Sequence, residues 1–308
     1  MLELFATSDP AGGFWQYVLL GLVIGSLYAL IALGYTMVYG IVELINFAHG
    51  DLFMLGAFLS LTILQAVNPL PGTGGAAVTI VLMLLAAPVF CAGLNVGVDR
   101  VIYKPLRGAP KLTALVSAIG VSFVFMNVGQ FWYGPLSQDF PRLIPDSELF
   151  PGFGYRDLMV VGVTLPTMIG LTVFVKYTSL GKAMRAVAQN PTAARLMGID
   201  VDRVITATFA IGGALAGVAA VVYGLYFGNA VYTMGFTNGL YAFTAAVVGG
   251  IGSVPGAVLG GLLIGLVRSL GSRYVDQKWV ETLIFAILIV ILIFRPTGLL
   301  GSRTREKV

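Results

Sequence analysis

The sequence predicts an all-α polytopic membrane protein of about eight to nine transmembrane helices, with two broken helices and a short helix outside the bilayer. Three observations carry this. Of 308 residues, 57% are hydrophobic and 10% charged, against roughly 25% charge in soluble domains, and mean hydropathy is +0.91. Apolar runs long enough to cross a hydrocarbon core recur along the chain. Of the 18 Lys and Arg, 13 lie in three stretches, Arg100–Lys111, Lys176–Arg203 and Arg295–Lys307. That is the positive-inside pattern, and it argues against a nucleic-acid partner despite the net charge of +4. Cys91 is the single cysteine and sits in an apolar run, so neither a disulfide framework nor a cysteine metal cluster is expected. Met1–Gly13 has Glu3 and Asp9 but no basic residue, so no cleavable signal is expected.

Phe14–Tyr39 reads as the first span, apolar and uncharged. Ile41–Gly50 carries Glu43, Asn46 and His49 and interrupts it before Leu52–Val67 resumes. Ala76–Val98 is the third span, with Pro88 a kink position. The basic loop Asp99–Lys111 belongs inside, and Leu112–Trp132 returns outward as the fourth span. Tyr133–Asp157, with four acids against two arginines, belongs outside, and Leu158–Val175 runs back in. Val204–Phe227 goes out again. Phe236–Gly250 is short, about 22 Å of helix against a core of about 30 Å. It breaks at GGIGSVPG, Gly249–Gly256, after which Ala257–Leu270 and Trp279–Phe294 complete the apolar segments.

The sequence leaves two topologies open. If Phe236–Gly250 is a thin crossing, there are nine spans, the N-terminus is outside and the basic tail inside. Arg268, Arg273 and Lys278 then fall on the outer side, against the charge rule. If the segment is re-entrant, the tail flips outward. The four bases and one acid of the tail favour the first. The whole of 1–308 is expected to be one transmembrane domain, comprising spans over 14–175, a polar loop over 176–203, spans over 204–294 and the basic tail 295–308.

That polar loop is the longest interruption that also reads as ordered. Ser179–Asp202, opening SLGKAMRAVAQNPTAARLMGID, predicts a first helix over Ser179–Gln189 and a second over Thr192–Met197. Asn190 suits the N-cap, Pro191 the first helical position and Gly198 the C-terminal stop. The second helix makes about two turns, far too few to span. Ala183, Ala186, Val187, Ala193, Ala194, Leu196 and Met197 give the loop an apolar face, which lies either on lipid or in a partner groove. Two caps favour a defined shape and hence a partner.

Candidate chemistry is sparse. His49 is the only histidine, so no zinc site and no nucleophile–base pair can be built, and the P-loop pattern GxxxxGK[ST] does not occur. An enzyme is therefore the remotest reading. Asn46, His49 and Asp51 either line a polar pathway, because polar groups at membrane depth are expensive, or sit at the interface capping the helix that follows. Thr113, Ser117, Ser122, Asn127 and Gln130 run along the fourth span. The hydroxyls are expected to bond their own helix, and Asn127 is the better pathway candidate. NFAHGD and GGIGSVPG, one in each half, read as paired broken helices, a pointer to a transport route at the midplane. Gly249, Gly250 and Gly252 join the pathway candidates on that ground. A stand-alone secondary carrier would use the same breaks, but the spans hold few ionisable residues for ion coupling.

At these residues the chain resembles the membrane permease of bacterial high-affinity branched-chain amino acid ABC transporters, the first of the two permease types. INFAHGDLFMLGAF (Ile45–Phe58), RAVAQNPTAARLMGID (Arg185–Asp200), VVGGIGSVPGAVLGGLLIGL (Val247–Leu266) and FRPTGLLG (Phe294–Gly301) are similar to that family's ordered blocks. General importers begin the loop motif Glu-Ala-Ala, where this chain has Ala186-Val187-Ala188. The resemblance implies an inner-membrane subunit without its own ATPase site. It would pair with a second permease, two cytoplasmic ATPases binding ATP-Mg, and a periplasmic substrate-binding protein. Residues 176–203 and the C-terminus would be cytoplasmic. Arg185, Asn190, Pro191, Ala193, Ala194, Leu196 and Gly198 would couple the chain to the ATPases. The solute would be a branched-chain or related small amino acid, with urea or short amides as the alternative within the same fold.

Overall fold

A computed structural model describes residues 10–68 and 74–301; Glu3, Asp9, Arg303, Arg305 and Lys307 of the expected termini lie outside them. Helix α1 (Pro10–Val42) is followed by α2 (Ala48–Val67), α3 (Gly74–Val98), a π-helical turn (Asp99–Tyr103) and the short α4 (Lys104–Leu106). Next come α5 (Lys111–Tyr133), α6 (Tyr155–Tyr177), α7 (Ser179–Gln189) and α8 (Pro191–Leu196). The chain ends with α9 (Val201–Phe227), α10 (Met234–Gly249), α11 (Val254–Tyr274) and α12 (Gln277–Phe294). Strands are confined to connections: β1 (Gln138–Asp139) pairs antiparallel with β4 (Asn229–Ala230), and β2 (Glu148–Phe150) with β3 (Phe153–Gly154).

Among the described residues seven segments are long and apolar enough to cross a membrane, ending or starting within a few residues of the expected boundaries: α1, α2, α3 with its extension to Leu106, α5, α6, α9 and α11. The eighteen-residue α12 and the sixteen-residue α10 complete the nine expected segments. Pro88 lies inside a continuous α3, its backbone packed against Gly217 of α9.

Lipid tails supply no hydrophobic drive between helices, so close packing of small residues has to. The α1–α11 pair does this along its whole length. Gly21, Gly25 and Ala29 on α1 face Gly261, Gly265 and Ser269 on α11, and the Ser269 hydroxyl donates to the Tyr17 carbonyl at 2.6 Å. A Cβ at Gly25 would stand 2.7 Å from the Leu262 Cα, and one at Gly265 would collide with the Gly25 backbone. The helices run antiparallel, so Gly252 in the turn before α11 meets Gly40 near the end of α1.

These contacts decide the topology. Ala230 is paired to Gln138 in the α5–α6 connection, whereas Gly249 is pressed on Gly256 and its turn on Gly40. The chain from Ala230 to Gly249 therefore runs from one face of the bundle to the other, α10 making the part of that passage from the bundle interior to the Gly250–Ser253 turn. After α12 the backbone returns to that turn, where the Leu299 and Leu300 amides donate to the Val248 and Gly249 carbonyls, each at 2.9 Å. This satisfies carbonyls left open at the end of α10. Val38, close to the end of α1, packs on Gly212, which places the α9 start and the 178–200 loop at the same face. Tail residues 295–301, the Gly250–Ser253 turn and the loop thus share one side.

Two of the three basic residues at the opposite face, Arg268 and Arg273, rest on aromatic rings. The Arg268 guanidinium lies over the rings of Tyr28 and Tyr241, at 5.7 and 5.0 Å. Tyr241 donates to Glu281 of α12 at 2.7 Å. Arg273 lies over Tyr17 and Tyr274, at 5.3 and 5.5 Å. Aromatic faces attract these charges, so they are not the free loop cations that the charge rule counts.

The zipper yields a prediction. Gly265→Val overpacks a backbone contact and is expected to cost about 1–3 kcal/mol or more. Thermal unfolding in detergent, followed by size-exclusion fluorescence, should show the loss. Gly93→Val, at a position with no atom within 4 Å of an added Cβ, should leave the transition unchanged.

Candidate functional site

Two groups of residues stand out: a polar cluster inside the bundle and the helical loop outside it. The inner cluster forms where α2 begins. The α1 helix ends at Glu43, held in a left-handed conformation (φ 56°) with its amide on the Tyr39 carbonyl at 2.8 Å. The chain then doubles back, so His49, in the first turn of α2, lies against Gly34 rather than at the end of α1. Asp51 accepts a hydrogen bond from Ser122 of α5, eleven residues past Lys111. That is a rise of about 17 Å, near the middle of a hydrocarbon core of about 30 Å.

The interfacial-cap reading of this cluster therefore gives way. Phe47 occupies the cap position of α2 and no side chain caps it. Asn46, His49 and Asp51 are all buried. Asn46 donates to Asn95 of α3 (3.2 Å) and accepts from Tyr103 (3.1 Å), while Asn95 donates to the Phe209 carbonyl of α9 (2.7 Å). The His49 ring lies edge-on to Tyr35, with centroids 4.7 Å apart. A narrow crevice beside it is lined by Tyr35, Tyr39, Asn46, Phe243, Ala246 and Ile251.

The structure does not bring the other pathway candidates here. Asn127 is exposed on the outer face of α5 and its amide bonds the Phe123 carbonyl of its own helix at 2.8 Å. Ser117 likewise bonds Thr113, but Ser122, expected to do the same, instead reaches the Asp51 carboxylate across helices. Gly249, Gly250 and Gly252 form a tight turn at the bundle face, Gly250 and Gly252 with φ of 108° and 90°. So GGIGSVPG is a hairpin turn and not a break at depth. Glycine marks both, because a tight turn and an interrupted helix need the same backbone freedom. The true counterpart of the α2 start is the start of α10: Gly50 packs on Gly235 and Gly239.

Reasoning from sequence missed Asn95 and Tyr103. The signal for Asn95 was present, a lone amide in an apolar span. Tyr103 reaches Asn46 only because Asp99–Tyr103 winds as a π-helix, a form common at functional sites. Asp99, fully buried, accepts from Arg107 (2.8 Å) and from Thr206 of α9 (2.6 Å). Arg107 and Lys104 also pair with Asp202 at the start of α9. These ion pairs tie the end of α3 to the root of the helical loop.

In the loop, Thr178 caps α7 by accepting from the Gly181 amide at 3.0 Å, and Asn190 caps α8 by accepting from Ala193 at 3.0 Å. Pro191 opens α8 and Gly198 closes the segment at φ 82°. Met184, Val187 and Ala194 are buried against the bundle. Ala194 thus faces inward and is not available to a partner, contrary to expectation. An i, i+3 or i+4 spacing sets one helix face, and two turns are too few for the sequence to say which face docks. Arg185 is exposed and bonds the Lys176 carbonyl at 3.2 Å. Asn190, Ala193 and Gly198 are also exposed and Pro191 is half-buried. The outward apolar pair is Leu196 and Met197, 84% and 83% exposed.

The Asn46–Asn95 network yields a second prediction. Asn95→Ala leaves the Asn46 amide and the Phe209 carbonyl without their partner, each buried loss costing about 1–3 kcal/mol. Thermal unfolding of the purified chain should show it, whereas Asn127→Ala, on an exposed self-bonded amide, should be neutral.

Comparison with known proteins shows the family. Residues 17–292 match the family described as the permease component of branched-chain amino acid transport systems. The permease protein BraD of the high-affinity branched-chain amino acid transport system of Pseudomonas aeruginosa is 39% identical over 305 residues, covering 96% of this chain and 98% of the relative. LivH of Escherichia coli, from the system of the same description, is 40% identical over 302 residues with the same coverage. The autoinducer 2 import permease LsrD of Escherichia coli is more distant, at 27% over 246 residues, 73% of this chain and 70% of the relative. No solved structure matches. This multi-pass membrane chain belongs to the branched-chain amino acid transport permease family.

Proposed function

We propose that this chain is the pore-forming subunit of an ATP-binding-cassette importer for branched-chain amino acids in a bacterial inner membrane. It pairs with a second permease and is driven by two cytoplasmic ATPases that bind ATP-Mg, while a periplasmic binding protein delivers the solute. The solute class follows the descriptions of BraD and LivH.

The observation that most supports ATPase coupling is the exposed Leu196–Met197 pair at the end of α8, a helix capped by Asn190. Exposed large apolar groups on an ordered element mark an interaction site. On this reading residues 176–203 and the tail are cytoplasmic, and the β1–β4 face receives the binding protein.

The route from the loop to the bundle is short. Met184 and Val187 of α7 are buried in the same core as α1, α2 and α9. Gly181 is packed on the Phe174 and Val175 carbonyls, so α7 cannot shift without α6. The ATPases bias the bundle only through contacts that differ between its states, and α7–α8 supplies such a contact. Asp99, Arg107 and Asp202 couple the same root to α3 and α9. Translocation through the Asn46–His49–Asp51 region requires α2 and α10 to part, since their glycines touch here.

A Leu196→Asp/Met197→Asp double variant tests the coupling. The mutated side chains face away from the bundle, so membrane insertion and thermal unfolding should match wild type. Retention of the ATPase during purification, and ATP hydrolysis stimulated by the binding protein, should fall by roughly tenfold or more, the scale of losing an apolar anchor. Ala194→Asp, by contrast, buries a carboxylate and should destabilise the chain itself. Wild-type ATPase retention by the double variant would sink the docking assignment.

A further inference from the structure

Two helices begin inside this bundle, and neither beginning is capped. The α2 start has Phe47 and the α10 start has Thr233 at the cap position, and neither cap side chain bonds the helix. They lie side by side: a Cβ on Gly50 would stand 3.0 Å from the Gly239 Cα, and Gly235 packs on the Gly50 carbonyl. Both are long helices, of twenty and sixteen residues. A helix start leaves amide donors open, and hydrocarbon offers them no acceptor. Their dipoles favour a negative charge at this point.

The second observation is independent of the helix ends. Asp51 is fully buried. Its Oδ2 accepts from Ser122, whereas Oδ1 has no hydrogen-bond partner. That free oxygen points at the α10 start, where a Cβ on Gly235 would stand 2.7 Å from it. A buried carboxylate oxygen without a donor is expensive, and one aimed between two helices that must separate has a use for the vacancy of a donor.

We propose that the head group of a zwitterionic amino acid is received at this point. Its ammonium donates to Asp51 Oδ1 and its carboxylate accepts from the Gly235 and Phe236 amides opening α10. The proposal rests on the amino-acid permease reading and deepens it to named atoms. Asp51 supplies the charge complementary to the ammonium, and the α10 dipole the charge complementary to the carboxylate. Ser122 is a positioning residue that holds Oδ2 and so turns Oδ1 toward α10. Gly50, Gly235 and Gly239 close the site in the present conformation, because backbone meets backbone there.

The test uses the assembled complex of this chain, its partner permease and the ATPases in lipid nanodiscs, without binding protein. Binding of tritiated leucine is competed with leucinol, which lacks the carboxylate, and with isocaproate, which lacks the ammonium. Against wild type, each analogue should compete about tenfold or more weakly than leucine, the scale of one charge-assisted hydrogen bond. Asp51→Asn should bring leucine down to the level of isocaproate while the penalty on leucinol persists, a split that mere loss of packing would not produce. Ser122→Ala releases Oδ2 and lets the carboxylate turn, so it should narrow the gap between leucine and isocaproate, whereas Asn127→Ala, exposed on the outer face of α5, should keep the wild-type ranking. Isocaproate competing as well as leucine against wild type overturns the site, however Asp51→Asn folds. So does an assembled Asp51→Asn complex that still prefers leucine to isocaproate. A wild-type complex that binds no leucine, yet hydrolyses ATP when the binding protein is added, removes the site and leaves the permease reading standing. A chain that retains no ATPase removes the ATP-driven importer reading instead.

Discussion

Backbone that leaves the helix inside a membrane must find its hydrogen bonds in protein, because hydrocarbon supplies none. This constraint shapes the bundle at each irregular segment. The connection between α1 and α2 folds back at depth, and Asn46 there is held by Asn95 and Tyr103. The end of α10 is completed by the Leu299 and Leu300 amides, which arrive from a segment fifty residues later in the chain. Among the described residues, the start of α10 and the free oxygen of Asp51 are two of the places where the accounting is left open. Both lie on one surface, between the two helices whose separation would make a passage.

The glycines serve the same constraint from another side. Along α1–α11 and α3–α9 they let backbones touch, which holds the helices without any solvent-driven force. At Gly50, Gly235 and Gly239 the same closeness seals the interior. A single residue type thus supplies both the packing of a long helix pair and the close contact of two helix starts. The difference lies in what surrounds it. The α1–α11 zipper extends over the whole pair, whereas the Gly50 contact joins two helix starts.

Charge is distributed with similar economy. Asp99 and Arg107 are buried or nearly so, and each is bonded at the base of the helical loop. Arg268 and Arg273 rest on tyrosine rings at the opposite face. The loop helices join the first of these arrangements through Asp202. Asp202, Arg107 and Asp99 thus form a contiguous chain of ion pairs from the root of the loop to the π-helical turn, whose Tyr103 bonds Asn46.

Hydropathy and charge placement determined the class and the spans to within a few residues, and capping residues the two loop helices with their Asn190 and Gly198 boundaries. Those features are local: a span needs only length and apolar composition, and a cap only a residue three positions away. Recognition of the family likewise lay in ordered blocks of sequence. What the tertiary structure decided is everything that depends on which faces meet. It turned Ala194 inward and Leu196 outward, moved Ser122 from self-bonded hydroxyl to partner of Asp51, and left Asn127 on the outer surface. It also showed that the partner of the NFAHGD break is the start of α10 and not GGIGSVPG. In a span that is apolar all round, side-chain periodicity carries almost no orientation, so the facing of a serine or an asparagine is fixed only when neighbouring helices pack against it.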